Sequence, residues 1–299
     1  MTKLIDLSRE IYEGTPVYPG DPLFQTRPFA EHGADGFRGS TFTIGSHLGT
    51  HIDAPFHYFV DGETLDAFDL DFLSGDALCL DVAPLIGPDS ERFLNRPDRH
   101  RPAALRVDDI APYESAIDAA NILILRTDWA KKFGDADFYC EFPSLSPELC
   151  DWLADFPNLR ILGLETPSVV ASYPRAEPGG DDESQCPFDK DLIETVAPAS
   201  RVDSRSTAVD SQQVETPPLD ELEMCADAEC HRILLGRRPP ILILEGLVSL
   251  DALPRCVVDG SQKTPVSVDP SRAFKALVAP IPIRGVDGAP ARVVAFLQD

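Results

Sequence analysis

Between Thr41 and His57 the chain runs from an alternating apolar–polar segment straight into three histidines and an aspartate. The stretch His47-Leu48-Gly49-Thr50-His51-Ile52-Asp53-Ala54-Pro55-Phe56-His57 holds three of the protein's six histidines. Its run-in, Thr41-Phe42-Thr43-Ile44-Gly45-Ser46, has the period of two that marks a half-buried strand. Carried forward, that period puts Phe42, Ile44, Leu48 and Ile52 on one face and Thr41, Thr43, His47, His51 and Asp53 on the other. A helix would also pair His47 with His51 at i,i+4. However, Gly49, the β-branched Thr50 and Ile52, and Pro55 make a helix here poor. One face is expected to be core and the other to gather imidazoles and a carboxylate, with Pro55 ending the strand and His57 just beyond it.

Imidazole nitrogen and carboxylate oxygen are ligands of zinc and also suit iron and manganese. Two His and one Asp leave coordination positions open, as a catalytic site requires. The bland alternative is three ordinary histidines beside a strand-end aspartate. Their gathering on one face favours a metal or catalytic site.

At these residues the sequence resembles a known family. HLGTHIDAPFH matches H-x-G-T-H-x-D-x-P-x-H, the signature of the cyclase family that includes bacterial kynurenine formamidase and isatin hydrolase. The resemblance continues elsewhere. Thr15-Pro16-Val17-Tyr18-Pro19-Gly20-Asp21 is similar to the family's M-P-x-W-P-G-D segment, with Tyr18 in place of a Trp that lines the substrate pocket. Arg126-Thr127-Asp128-Trp129 resembles R-T-G-W, and Glu165-Thr166-Pro167-Ser168 resembles D-T-P-S. His231 before Ile233-Leu234-Leu235, then Glu245 at the end of Ile241-Leu242-Ile243-Leu244, resemble the family's second ligand group.

The resemblance implies a single-domain α/β fold of the swivelling β/β/α type, commonly oligomeric and often a homodimer. It implies that His47, His51 and Asp53 hold a divalent ion, and that Asp53 and Glu245 bridge to a second ion also bound by His231. Some relatives use one manganese, so zinc or manganese, and one ion or two per subunit, stay open. The implied reaction is hydrolysis of a C–N bond in a small aryl formamide or cyclic amide, N-formylkynurenine-like or isatin-like, by metal-bound hydroxide, with His57 as proton shuttle. An amine leaves badly unless protonated, and histidine is the natural donor near neutrality. The alternatives for His57 are a third imidazole ligand or an orienter of Asp53. The alternatives for function are an ester or lactone hydrolase or cyclase of the same family, or a non-catalytic metal or small-ligand binding protein. A complete motif including His57 favours catalysis.

The balance of 26 Lys+Arg against 50 Asp+Glu, a net charge of −24, disfavours nucleic acid and anionic membrane as partners. A small molecule is the expected partner. A high-salt cytoplasm is one explanation of the acidic excess. Seven cysteines without a C-x-x-C do not read as a disulfide framework or zinc ribbon. With no signal-peptide pattern and no membrane-length apolar run, a cytoplasmic location is expected.

Along the rest of the chain, strands are expected at Leu4–Ser8, Ala77–Val82, Ile122–Leu125, Leu159–Leu164, Pro240–Leu247, Ala276–Ile281 and Val293–Phe296. Helices are expected at 107–119, from the Ser146 cap to Phe156, and over Ala228–Leu235, ended by Gly236. Residues 85–106, with three prolines and many charges, read as a surface excursion in which His100 is exposed. Residues 171–221 are poor in large apolar side chains and read as an insertion into one domain spanning 1–299, either a lid or partner arm or a solvated loop.

Overall fold

The computed structural model describes residues 2–18, 20–96, 102–135, 137–171 and 226–298. Among these, the strands are β1 (Thr2–Asp6), β2 (Gln25–Ala30), β3 (Gly39–Thr43), β4 (His51–Asp53), β5 (Ser74–Asp81), β6 (Ala104–Leu105) and β7 (Ile122–Arg126). They continue with β8 (Ser144–Leu145), β9 (Ile161–Leu164), β10 (Leu242–Glu245), β11 (Cys256–Val257), β12 (Phe274–Pro280) and β13 (Gly288–Gln298).

Strands β5, β7, β9 and β10 lie side by side and parallel. Their sequences are near-continuous apolar runs, Ala77-Leu78-Cys79-Leu80, Ile122-Leu123-Ile124-Leu125, Ile161-Leu162-Gly163-Leu164 and Leu242-Ile243-Leu244, and all are buried. Such runs are what parallel strands need, because both of their faces are covered. The antiparallel β4, β13 and β12 complete the circuit: β4 pairs with both β10 and β13, and β12 joins β13 to β5. The result is a closed seven-stranded barrel, with β1 added outside β13 and β11 outside β5. The α/β class expected from sequence is the class observed.

The helices are short: α1 (His32–Asp35), α2 (Ala83–Ile86), α3 (Glu91–Leu94), α4 (Val107–Ile110), α5 (Glu114–Asp118), α6 (Pro147–Ala154) and α7 (Ala226–Gly236). At α6 the Ser146 hydroxyl accepts from the Leu149 N–H and Pro147 opens the first turn, as expected. The helix expected over 107–119 is divided into α4 and α5 by a 3₁₀ turn at Ala111–Tyr113, where Pro112 lacks the N–H that a continuous helix needs.

Two expectations are corrected. The strand entering the histidine motif does not run through it. β3 stops at Thr43 and pairs with β2 in a separate ribbon, leaving Phe42 exposed, whereas β4 restarts at His51. Gly49, at φ 70°, turns the chain between them, so one period of two cannot span both. Residues 85–106 are not merely a surface excursion, because Ile86, Phe93, Ala103 and Leu105 join the core and β6 pairs with β8. Among the described cysteines, Cys79, Cys230 and Cys256 are free thiols and Cys140 is disulfide-bonded. His100, Pro19 and all of the 171–221 segment beyond Ala171 lie outside the described residues. No helix among the described residues is long and apolar enough to cross a membrane.

Candidate metal centre

Barrel closure builds the site. The antiparallel register sets His51 opposite Glu245 on β10, and sets Asp53 opposite Gly288 on β13. Two glycines permit the approach. A Cβ on Gly246, at φ 69°, would lie 2.3 Å from the Gly49 carbonyl oxygen, and one on Gly288 would lie 2.9 Å from His47 Cε1. Neither position has room for a side chain.

His51, Asp53, His231 and Glu245 are all buried. His51 Nε2 lies 3.3 Å from Glu245 Oε2 and 3.6 Å from Asp53 Oδ1. His231, carried on α7, places Nε2 3.7 Å from Asp53 Oδ2 and 3.7 Å from Glu245 Oε1. These separations are long for hydrogen bonds. They fit the edge of a tetrahedron of ligands at about 2.1 Å from a metal, which is about 3.4 Å. Glu245 Oε1 is buried and receives no hydrogen bond among the described residues, an orphan acceptor that a cation would satisfy. His51 Nδ1 lies 3.1 Å from the Gly49 carbonyl oxygen. A carbonyl only accepts, so Nδ1 carries the proton and the Nε2 lone pair is left to face the carboxylates. The donor set fits a divalent cation.

His47 sits at the rim of this cluster. Its Nδ1 is 2.8 Å from Asp53 Oδ1 and its Nε2 is 2.7 Å from Asp287 Oδ2. Burial alone would lower its pKa, but Asp53 and Asp287 outweigh burial and raise it to about 10. Burial likewise opposes ionisation of Asp53, yet the adjacent His47 holds that carboxyl well below its usual range. Hydrogen bonding from His47, then from His57, does the same for Asp287. A metal ion and the second proton of His47 would compete for the same lone pair.

His57 follows β4 on a single 3₁₀ turn begun by Pro55, and its ring lies against His47 with centroids 4.1 Å apart. Its Nδ1 is 3.4 Å from Asp287 Oδ2. Tyr58 stacks on His231 at 4.6 Å. The pocket outside the cluster is walled by Tyr18, Phe133, Phe138 and Tyr139, and Tyr18 meets Tyr139 edge-on at 5.7 Å. All seven residues expected from sequence, Tyr18, His47, His51, Asp53, His57, His231 and Glu245, therefore line one pocket.

Sequence reasoning missed Asp287, Asp21 and Arg9. Asp21 lines the pocket, and burial raises its pKa. It closes the Pro-Gly-Asp turn, a signal that was present but bore no recognisable chemistry. Asp287 precedes β13 in an Asp-Gly pair and is 240 residues from the histidine it binds. Nothing local distinguishes it from an ordinary turn.

A closed barrel opening onto buried His, Asp and Glu ligands and an aromatic-walled pocket defines a metal-site protein built for a small molecule. Comparison with known sequences narrows the class. The profile of the cyclase family matches residues 5–170, and the chain belongs to that family. It is similar to the kynurenine formamidase of Geobacillus thermodenitrificans, 25% identical across 62% of this chain and 79% of the relative. It is also similar to that of Bacillus cytotoxicus, 28% identical across 55% and 69%. Among solved structures, isatin hydrolase A from Labrenzia aggregata, bound to benzyl benzoate, superposes with a TM-score of 0.63. The match covers all of this chain and 94% of that one at 19% identity. A potential metal-dependent hydrolase with cyclase activity gives a TM-score of 0.57 with both chains fully covered at 20% identity. These structural likenesses establish the fold.

Proposed function

We propose that this enzyme is a metal-dependent hydrolase cleaving a C–N bond in a small aryl formamide or cyclic amide, N-formylkynurenine-like or isatin-like. The observation that carries the reading is the orphan Glu245 Oε1 among four ligand-type residues, with His57 at the pocket edge. The names of the relatives point to the same chemistry. His47, His51 and Asp53 would hold one divalent ion, zinc or manganese, and Asp53, His231 and Glu245 a second where two are bound. Such an ion supplies a Lewis acid that polarises a carbonyl and lowers the pKa of water.

The protein's own groups do the rest. With Nδ1–H directed at Asp287, the other nitrogen of His57 takes a proton from the attacking water and delivers it to the departing nitrogen. Asp287 holds the imidazole in that tautomer. Tyr18, Phe133 and Phe138 give a planar aromatic substrate a face to stack on and exclude water around it. The closed barrel supports one hydrolase domain over 1–299. The exposed Phe29, Phe37 and Phe42 on and beside the β2–β3 ribbon support a homo-oligomer, which would cover them.

A turnover screen of formamides, lactams, esters and lactones on metal-loaded protein tests the reading. Hydrolysis of formamides or lactams is expected. Faster turnover of esters or lactones would move the assignment to that chemistry, and inactivity across the panel with metal bound would leave a binding protein.

A further inference from the structure

Arg9 lies just past β1 and is fixed against the metal centre through its backbone. Its N–H donates to Thr50 Oγ1 at 2.8 Å, and the Thr50 hydroxyl donates to the Gly246 carbonyl at 2.7 Å. Thr50 adjoins His51 and Gly246 adjoins Glu245, so this relay ties Arg9 to both halves of the ligand cluster. The guanidinium carbon stands 3.8 Å from the Phe133 ring centroid and 5.7 Å from that of Phe138. Stacking on an aromatic face fixes the plane of the guanidinium and leaves its N–H fork free to point elsewhere.

The fork is not used up. Arg9 Nη2 is buried and has no hydrogen-bond partner among the described residues. A buried, permanently charged donor without a partner is costly, and a purely structural arginine would have found a carbonyl or carboxylate. Other arginines here do so: Arg237 donates to the Phe156 and Leu159 carbonyls, and Arg92 makes a paired contact with Asp109. Among the described residues lining the pocket, Arg9 alone carries a permanent positive charge. In a chain of net charge −24, with Asp21, Asp53 and Glu245 in the same pocket, an anionic ligand needs such a local cation to enter.

We propose that Arg9 is the specificity-determining residue of this site and receives a carboxylate borne by the substrate on an arm beside its aromatic ring. This rests on the proposed hydrolase reading and deepens it, since the preferred substrate becomes an aryl amide that bears a carboxylate rather than one that lacks it. The aromatic part lies against Tyr18 and Phe138, the guanidinium turns its unpartnered Nη2–H from its buried position onto the carboxylate, and the scissile amide faces the metal ligands. The carboxylate is a spectator: no bond to it forms or breaks.

The test compares N-formylkynurenine, which carries such a carboxylate, with neutral formanilide, on metal-loaded wild type, Arg9→Met and Arg9→Lys. Loss of a charge-assisted partner predicts that Arg9→Met loses about 100-fold in kcat/KM on the carboxylate-bearing substrate, mostly through KM, but no more than about tenfold on formanilide. Arg9→Lys, which keeps charge but not the planar fork, should fall between and guards against misfolding of the Met variant. Equal losses on both substrates, or none on either, would overturn the proposal. A second readout needs no turnover: calorimetric binding of benzoate against benzamide. Wild type should favour benzoate at least tenfold more strongly than Arg9→Met does, and equal preference in the two proteins would overturn the role of Arg9. Should neither amide be hydrolysed while this difference in preference persists, the hydrolase reading fails and the anion site stands.

Discussion

Three of the four parallel strands end in a charged residue and Glu165 directly follows the fourth, yet the two sides of the barrel use these charges differently. On the β5–β7 side, Asp81 accepts from Arg126 at 2.7 Å and from Arg255 at 3.0 Å, and Arg126 also pairs with Asp128. Beyond β9, Glu165 Oε2 accepts the backbone N–H groups of Thr127 and Asp128, both at 2.6 Å. On the β10–β4 side, Asp53 and Glu245 meet His51 and His231 at 3.3–3.7 Å, only His47 comes within hydrogen-bond distance of Asp53, and Glu245 Oε1 is left with no donor among the described residues. Equal burial therefore does not mean equal purpose. Where donors saturate the acceptors the cluster is structural, and where ligand atoms stand apart around a shared gap it is a place for a cation.

The sharpest way to break this contrast is His51→Ala. Removing that lone pair is expected to take metal content well below one ion per chain and to lower turnover by about 10³-fold or more. Elemental analysis after metal loading, alongside the rate, decides it, and full metal content would end the assignment. His57→Ala comes next, with an expected loss of roughly 10²–10⁴-fold in turnover at retained metal and fold. Activated esters, whose leaving groups need no proton, should lose much less. If this variant purifies without metal, His57 is a ligand instead.

On the structural side, Arg126→Met should cost about 3 kcal/mol of stability, because it strands Asp81 with only Arg255. Urea unfolding measures that cost, and metal stoichiometry should not change. The smallest expected effect concerns Glu165. Burial raises its pKa from 4.5 to about 7 despite the N–H groups of Thr127 and Asp128. The folded protein then binds more protons than the unfolded chain between those values. Its contribution to stability is complete below pH 4.5 and is lost as pH rises to about 7, by roughly 2–3 kcal/mol. Melting temperature followed across that interval should decline in wild type and flatten in Glu165→Gln. Parallel curves would place the titration elsewhere.

Glu165 also shows how departures from a family pattern can be related. The sequence carries Asp128 where the family motif has Gly, and Glu165 where it has Asp. In the structure these two residues touch: Asp128 adopts φ 64°, a left-handed conformation natural to glycine, and its N–H bonds the Glu165 carboxylate. Neither the left-handed backbone at Asp128 nor its partnership with a carboxylate 37 residues away was legible in the sequence.

Local spacing determined much by itself. Apolar runs four residues long announced the parallel strands because such strands must be apolar on both faces, and His47, His51, Asp53 and His57 announced a site because eleven residues cannot spread them far. Sequence could not say that the run-in through Phe42 belongs to a different sheet, since a period of two persists across a turn even when the strand does not. Nor could it find Asp287, Asp21 or Arg9. Each is an ordinary polar residue in its own neighbourhood, and each gains its chemistry only when β4 closes the barrel between β10 and β13. That closure depends on the registers of strands far apart in the chain and on glycines that let backbones touch. Those contacts have no local sequence period, so only the tertiary structure decided which acids face which imidazoles and which arginine was left with a donor to spare.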